Sequence, residues 1–141
     1  MSIEFFVFSD KRLSSIGEWQ QAIDAEGFDL KLDTSRPFDQ LSGHLPAHRG
    51  EEHAGFECDH FNPADIMDAF QGIDLGRSWT YVLAFRFGGD WHALWGASAA
   101  AAAYARATGG VVLDGESGEL LDPDSAAAQA RDCERHLTKD E

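Results

Sequence analysis

The residues whose side chains could do chemistry are concentrated in one segment, because four of the six histidines fall between positions 44 and 60. They are His44, His48, His53 and His60, and Cys58 and several acidic residues lie among them. Neutral imidazole, carboxylate and thiolate are the groups that bind zinc and related metal ions. This segment is the candidate site of a metal-binding protein or a metal-dependent hydrolase.

The spacing of these residues argues against a compact metal site. His44 and His48 are four residues apart, but Pro46 between them disfavours the helix that would place both on one face. The sequence contains no Cys-x-x-Cys and no His-Glu-x-x-His pattern. We therefore expect a metal-free purified protein without a cofactor, and the metal site of four histidines is the alternative interpretation.

Nucleophilic catalysis has less support from the sequence. Ser78, Ser98 and Ser117 lack the Gly-x-Ser-x-Gly frame of a nucleophile elbow. Cys58 lies two residues before His60, and a thiol packed in the core explains it more simply than a nucleophile does. The residues favour a protein that is not an enzyme.

The charge of the chain restricts its partners. The sequence has 25 Asp and Glu against 11 Lys and Arg, a formal net charge of −14 on 141 residues. This charge repels phosphate backbones and anionic lipids, so we expect no binding to nucleic acid or membrane. A basic protein partner would be attracted, although solubility alone also explains the charge. Contacts with partners concentrate in loops on a rigid scaffold. The candidate partner-binding residues are therefore the glutamates of the irregular segment and of the hairpin, Glu51, Glu52, Glu116 and Glu119.

The first part of the chain predicts a strand, a helix and a second strand. Residues 3–8 are apolar on both faces, as in a central strand. Ser15 and Glu18 have capping-box spacing at the start of a helix, and Gly27 follows its predicted end. Residues 28–33 alternate between apolar and polar, which is typical of a half-buried strand.

The middle of the chain is the least regular part. Residues 34–55 show no sustained period and predict a long loop with room for one short edge strand. Alternation over residues 54–60 predicts a strand. A short helix follows, which Asn62 caps and which ends within residues 72–76.

The last part begins with the strongest strand pattern, alternate large apolar residues over positions 79–87. Asp90 caps a helix that runs to about Thr108, and the alanine-rich middle of this helix suits close packing. Gly109 supplies the left-handed residue after the helix, so we expect it to be the glycine most sensitive to substitution.

The aromatic residues of that helix, Trp91, Trp95 and Tyr104, recur near helical spacing, and we assign all three to the core. Residues 111–121 predict a hairpin around an acidic turn, and the last helix begins after it at Asp122. The whole pattern predicts one α+β domain over residues 1–141, a sandwich in which a mixed β-sheet is covered by two to four helices.

The composition of the chain also predicts its cellular compartment. The chain is 43% hydrophobic, which suffices for a core, and it shows no secretory signal and no apolar stretch long enough to cross a bilayer. Cys58 and Cys133 lie far apart in different predicted elements, so free thiols are expected. These observations predict a cytoplasmic protein, and they leave the oligomeric state open.

A resemblance extends over residues 103–122, in which the end of a helix, a glycine pair, a strand and a tight acidic turn read AYARATGGVVLDGESGE up to Glu119. This segment resembles the helix-to-hairpin segment of small bacterial immunity-type proteins, which neutralise toxins. The resemblance implies a cytoplasmic protein that binds and blocks a partner, and it brings no catalytic residues with it.

Three functions remain open from the sequence. The first is a non-enzymatic binding protein, an immunity-type inhibitor of a basic protein partner. The second is a metal-binding protein or metal-dependent hydrolase that uses the histidine-rich segment 44–60. The third is a sensor domain with a pocket for a small molecule between the sheet and the helices.

Overall fold

The computed structural model describes residues 3–69, 75 and 77–139, apart from the side chains of residues 138 and 139. Four helices are present in this part of the chain: α1 (Ile16–Glu26), α2 (Pro63–Ala69), α3 (Trp91–Thr108) and α4 (Pro123–Lys139). The strands are β1 (Ile3–Ser9), β2 (Lys31–Leu32), β3 (His44–Leu45), β4 (Ala47–Arg49), β5 (Glu52–His53), β6 (Phe56–Phe61), β7 (Tyr81–Phe87), β8 (Val111–Asp114) and β9 (Leu120–Leu121). A 3-10 turn, Phe38–Gln40, precedes β3. The α+β class is confirmed.

The strands form two sheets. The larger sheet has the order β3-β6-β7-β1-β8-β9, and the smaller one has the order β2-β4-β5. Every described ladder is antiparallel, so the expectation of a mixed sheet is wrong. The reason lies in the position of β1. Helix α3 connects β7 to β8, which run in the same direction, but β1 lies between them and pairs antiparallel with both.

The two faces of the larger sheet are covered unequally. Phe5, Val7 and Phe85 belong to the main core, which also includes the buried side chains of α1, α3 and α4. On the other face, Phe6 joins a smaller cluster with Ile66 of α2. Alternate residues of β1 therefore enter different cores, which explains why residues 5–8 are apolar on both faces of the strand.

Helix α3 lies at the centre of the main core. It packs against α1 and α4 and against strands of both sheets. Trp19 of α1 is fully buried beside it and donates a hydrogen bond from Nε1 to the carbonyl oxygen of Ala100, at 3.0 Å. The small side chains of α3 allow these close approaches. A Cβ atom added at Gly96 would lie only 2.1 Å from the carbonyl oxygen of Ala54.

The predicted helix ends are confirmed by their hydrogen bonds. The Ser15 side chain accepts from the backbone N–H of Glu18 at 3.0 Å, and the Asp90 side chain accepts from the N–H of His92 at 3.2 Å. Gly27 and Gly109 end α1 and α3 with φ angles of 84° and 69°, which are left-handed conformations that favour glycine.

Two parts of the chain differ from their predictions. A strand was predicted over residues 28–33. Residues 28–32 alternate between buried and exposed as expected, but only Lys31–Leu32 pairs with another strand. Residues 34–55, expected to be a loop with one edge strand, contain β3 of the larger sheet and both β4 and β5 of the smaller sheet. Strands of two or three residues are too short to produce a detectable period. The predicted helix end at residues 72–76 lies largely outside the described residues.

Within the described part of the chain, no helix combines the length and the apolar character needed to cross a bilayer.

Candidate functional site

A groove with a cavity of about 480 Å³ opens where the start of α3 and the last turns of α4 meet the ends of β1 and β8. Its size is that of ordinary ligand pockets. The groove is lined by Ile3, Phe5, Trp91, Leu94, Ser98, Asp114, Glu116, Gln129, Asp132, Cys133 and His136. We call it the acidic groove, because none of the described lining residues is a lysine or an arginine.

Two helices, α3 and α4, form the walls of the acidic groove, and the lining residues on each helix are at helical spacing. Trp91, Leu94 and Ser98 are three and four residues apart and so lie on one face of α3. Gln129, Asp132, Cys133 and His136 have the same spacing on α4. The floor is the apolar start of β1. The arrangement offers apolar surface at the bottom and polar groups at the rim.

Trp91 is the most exposed aromatic side chain of the acidic groove, with half of its surface accessible (50%). Its ring stacks on that of His136, with an interplanar angle of 3° and a centroid distance of 5.7 Å. The assignment of all three aromatic residues of α3 to the core is therefore corrected for Trp91, whereas Trp95 and Tyr104 are buried. Trp91 is the first residue of α3, where the helix has reached the edge of the core.

Carboxylates surround the mouth of the groove. Asp114 ends β8, and its Oδ1 accepts from the backbone N–H of Glu116 at 2.9 Å and of Ser117 at 3.4 Å. These bonds hold the turn that carries Glu116 to the groove. Asp132, on the opposite wall, forms an ion pair with the exposed Arg135. The groove thus combines an aromatic pair with three carboxylates, of which Glu116 is exposed and Asp132 is paired with Arg135, and this is a suitable environment for a cation.

The thiol in the groove is not activated. Burial raises the pKa of Cys133 to about 11, and the negative charge of Asp132 adds to the effect. Burial also raises the pKa of Cys58 well above its ordinary value, and both cysteines are free and buried. Because the thiolate is the nucleophilic form, neither thiol is suited to covalent catalysis at neutral pH. The expectation of free thiols is confirmed.

The four predicted partner-binding glutamates lie in two places. Glu116 lines the acidic groove, and Glu119 is exposed on the same turn without lining it. Glu51 and Glu52 are exposed at the β4–β5 turn of the smaller sheet. No ion pair joins any of the four to a basic side chain in residues 3–69, 75 and 77–139. All four carboxylates face solvent and are accessible to a partner.

Several basic side chains are neutralised within the protein. Glu26, whose side chain is nearly buried, pairs with Arg106 and with Arg131, the latter at 3.4 Å. Arg106 also bonds to Asp124 at 2.7 Å. These two arginines are thus already paired with carboxylates of the protein itself.

The histidines of the alternative metal site do not converge. His44 lies on β3 in the larger sheet, and His48 and His53 face each other across β4 and β5. His60 donates from Nε2 to the carbonyl oxygen of Phe38 at 2.8 Å, and burial lowers its pKa. Among the described residues, no group of three or more His, Cys, Asp or Glu side chains is placed to hold a metal ion.

Sequence reasoning missed most of the acidic groove. The signals were present, since Gln129, Asp132, Cys133 and His136 form a polar continuation of the apolar face of α4 at i, i+3, i+4 and i+7. Trp91 directly after the Asp90 cap is a second signal, because the first residue of a helix is often at the surface. The sequence could not predict that α4 packs against the start of α3, and this contact forms the groove.

Comparison of the chain with protein-family models, with curated proteins and with solved structures finds no match.

Proposed function

We propose that this chain is a non-enzymatic binding protein that holds a basic segment of a protein partner in the acidic groove. The observation that carries the proposal is the composition of the groove. Its lining combines three carboxylates with a half-exposed tryptophan and contains no described lysine or arginine. The finer form of the proposal is a cytoplasmic inhibitor of the immunity type, which rests on the resemblance of residues 103–122.

The groove suits a lysine or arginine side chain for two physical reasons. A cation above an indole face gains about 0.5–1 kcal/mol at an exposed site, and Trp91 offers such a face. The carboxylate of Glu116, which is exposed, would then pair with the bound charge, while Phe5 and Leu94 contact its aliphatic stem. Complementary charge also steers the encounter and selects the partner.

The experiment is an NMR titration of the labelled protein with short peptides that contain arginine or lysine beside an aromatic residue. We expect amide shifts to change around the acidic groove, and an acidic peptide of the same length to leave them unchanged. Glu116→Gln should weaken binding up to about fivefold, the range of an exposed charge pair. Trp91→Ala should weaken it about as much or more. Asp114 is left intact, because its side chain holds the turn.

Glu119→Gln is the matched control. Glu119 is exposed on the same turn, and its substitution removes the same charge. Equal losses from Glu116→Gln and Glu119→Gln would show that net charge, not the groove, governs binding. Association that does not slow as salt rises would contradict the electrostatic part of the proposal. If the shifts map to Glu51 and Glu52 instead, the binding surface is the β4–β5 turn.

A small cationic molecule is the second candidate occupant, and the cavity volume of about 480 Å³ favours it. This volume falls within the range of about 300–1,000 Å³ that drug-sized ligands occupy. The same titration distinguishes the two. Under this second proposal, a free amine or guanidinium compound with an apolar group binds in the groove as tightly as a peptide does, and Trp91→Ala weakens both.

A further inference from the structure

His48 and His53 form a cross-strand pair on the outer face of the smaller sheet. They are directly opposite each other in the register of β4 and β5, and both side chains are exposed. Their rings lie 4.9 Å apart between centroids, at an interplanar angle of 41°. The hairpin between them is tight, with Gly50 at a φ of 60° in a two-residue turn, so the pair is fixed by the backbone.

The separation of the rings matches that of two imidazoles on one metal ion. Two imidazoles that bind one ion through bonds of about 2.0–2.1 Å, at angles near 90–110°, place their centroids roughly 4.5–5.2 Å apart. The observed 4.9 Å falls within this range. Both side chains are exposed, so rotation about their side-chain bonds can turn one nitrogen of each ring towards a shared ion.

The neighbours of the pair do not obstruct it. Lys31 is opposite His48 on the other side, in β2, but its ammonium is held by Asp24 at 3.2 Å. Arg49 lies on the inner face, where its guanidinium is 5.7 Å from the ring centre of Trp95. Glu51 is exposed in the turn beside the pair. The two basic side chains beside the pair, Lys31 and Arg49, are therefore both in contact with other groups.

We propose that His48 and His53 chelate a divalent transition-metal ion, with water completing its coordination. Imidazole nitrogens select zinc, copper and nickel over magnesium and calcium, which prefer oxygen ligands. Two ligands fixed across a hairpin present the second nitrogen at high effective concentration once the first has bound. This site uses two of the four histidines that the sequence singles out, without His44 and His60, and it is independent of the acidic groove.

The test is calorimetric titration of the untagged, chelator-treated protein with zinc chloride. We expect one ion to bind, and His48→Asn and His53→Asn each to weaken its binding about tenfold or more. The double variant should be little weaker than either single variant, because each one already abolishes the chelate. His44→Asn is the matched control, since this exposed histidine lies in the same segment and should leave the affinity unchanged.

Proton NMR of the imidazole rings provides a second measurement that does not depend on the variants. Zinc should shift the ring signals of His48 and His53 and leave those of His44, His60 and His136 unchanged. Equal affinity in wild type and in both single variants would overturn the proposal, as would an absence of binding at millimolar zinc. Ring shifts confined to other histidines would also overturn it.

Discussion

Gly109 and Gly110 follow α3 and are sensitive to substitution for different reasons. Gly109 has a φ of 69° with open space where a Cβ would lie, so Gly109→Ala should cost about 1 kcal/mol of stability. A Cβ at Gly110 would lie 2.3 Å from the carbonyl oxygen of Phe8, in the middle of the sheet. We therefore expect Gly110→Ala to cost more, which revises the expectation that Gly109 is the most sensitive glycine.

Urea unfolding of the two variants, compared with wild type, measures this difference. Gly89→Ala serves as the control, because a Cβ there meets nothing within 4 Å and the backbone conformation is ordinary. The close approach of Gly110 to β1 would be refuted if Gly110→Ala were as stable as the control.

His60 should make the folded state sensitive to mild acid. Burial lowers its pKa in the folded protein, so the folded state disfavours the charged imidazole. The free energy of unfolding is therefore unaffected by the protonation of His60 above the pKa of this imidazole in the unfolded chain, about 6.5. It falls as the pH drops through that value towards the lower pKa of the folded state. In His60→Gln, whose amide can still donate to Phe38, this loss should disappear. Thermal unfolding of both proteins at pH 8 and pH 5.5 makes the comparison, and identical pH dependences would contradict it.

At the scale of single residues, the sequence predicted local hydrogen bonding correctly. Glu116 was selected because it lies in a loop; its part in partner binding stays a prediction, and its side chain lines the acidic groove. The caps Ser15 and Asp90 were identifiable from their spacing and are confirmed by their bonds. Trp91 was not identified, because whether the first residue of a helix is buried depends on which element packs against it.

At the scale of elements, the start of α1 depends on one serine. Ser15 accepts from the N–H of Glu18, and we expect Ser15→Ala to lower the unfolding free energy by about 1 kcal/mol. Ser14→Ala is the matched control, because the Ser14 hydroxyl donates to the exposed side chain of Glu18 instead of accepting from a backbone N–H at the helix start. Unfolding in denaturant measures both, and equal losses would mean that the cap does not limit the helix.

The elements that the sequence predicted well are those long enough to repeat a pattern. β7 and α3 extend over seven and 18 residues, and their alternation and alanine-rich composition are visible in the chain. The smaller sheet was missed, since β2, β4 and β5 have only two or three residues each. Leu32 of β2, Ala47 of β4 and Ala54, which directly follows β5, belong to the main core, and this packing is a property of the assembled fold.

For the whole molecule, the net charge of −14 predicts a response to salt. Mutual repulsion destabilises a compact acidic chain, and added salt screens it over about 10 Å at 0.1 M. We expect the unfolding temperature to rise as sodium chloride increases at pH 7.5. Near pH 4.6, the isoelectric point that the sequence gives, the rise should vanish. A similar rise at both pH values would indicate a general salt effect unrelated to charge.

Helix α3 has almost no surface of its own, since 12 of its 18 residues are buried. Its backbone cannot separate from one neighbour without loosening its contacts with α1, α4 and both sheets together. Partial opening of the molecule is therefore confined to segments that α3 does not touch, and the helix itself opens only when everything else does. Because Trp91 begins this same helix, an occupant of the acidic groove would contact the exposed end of a helix whose following turns are held by packing.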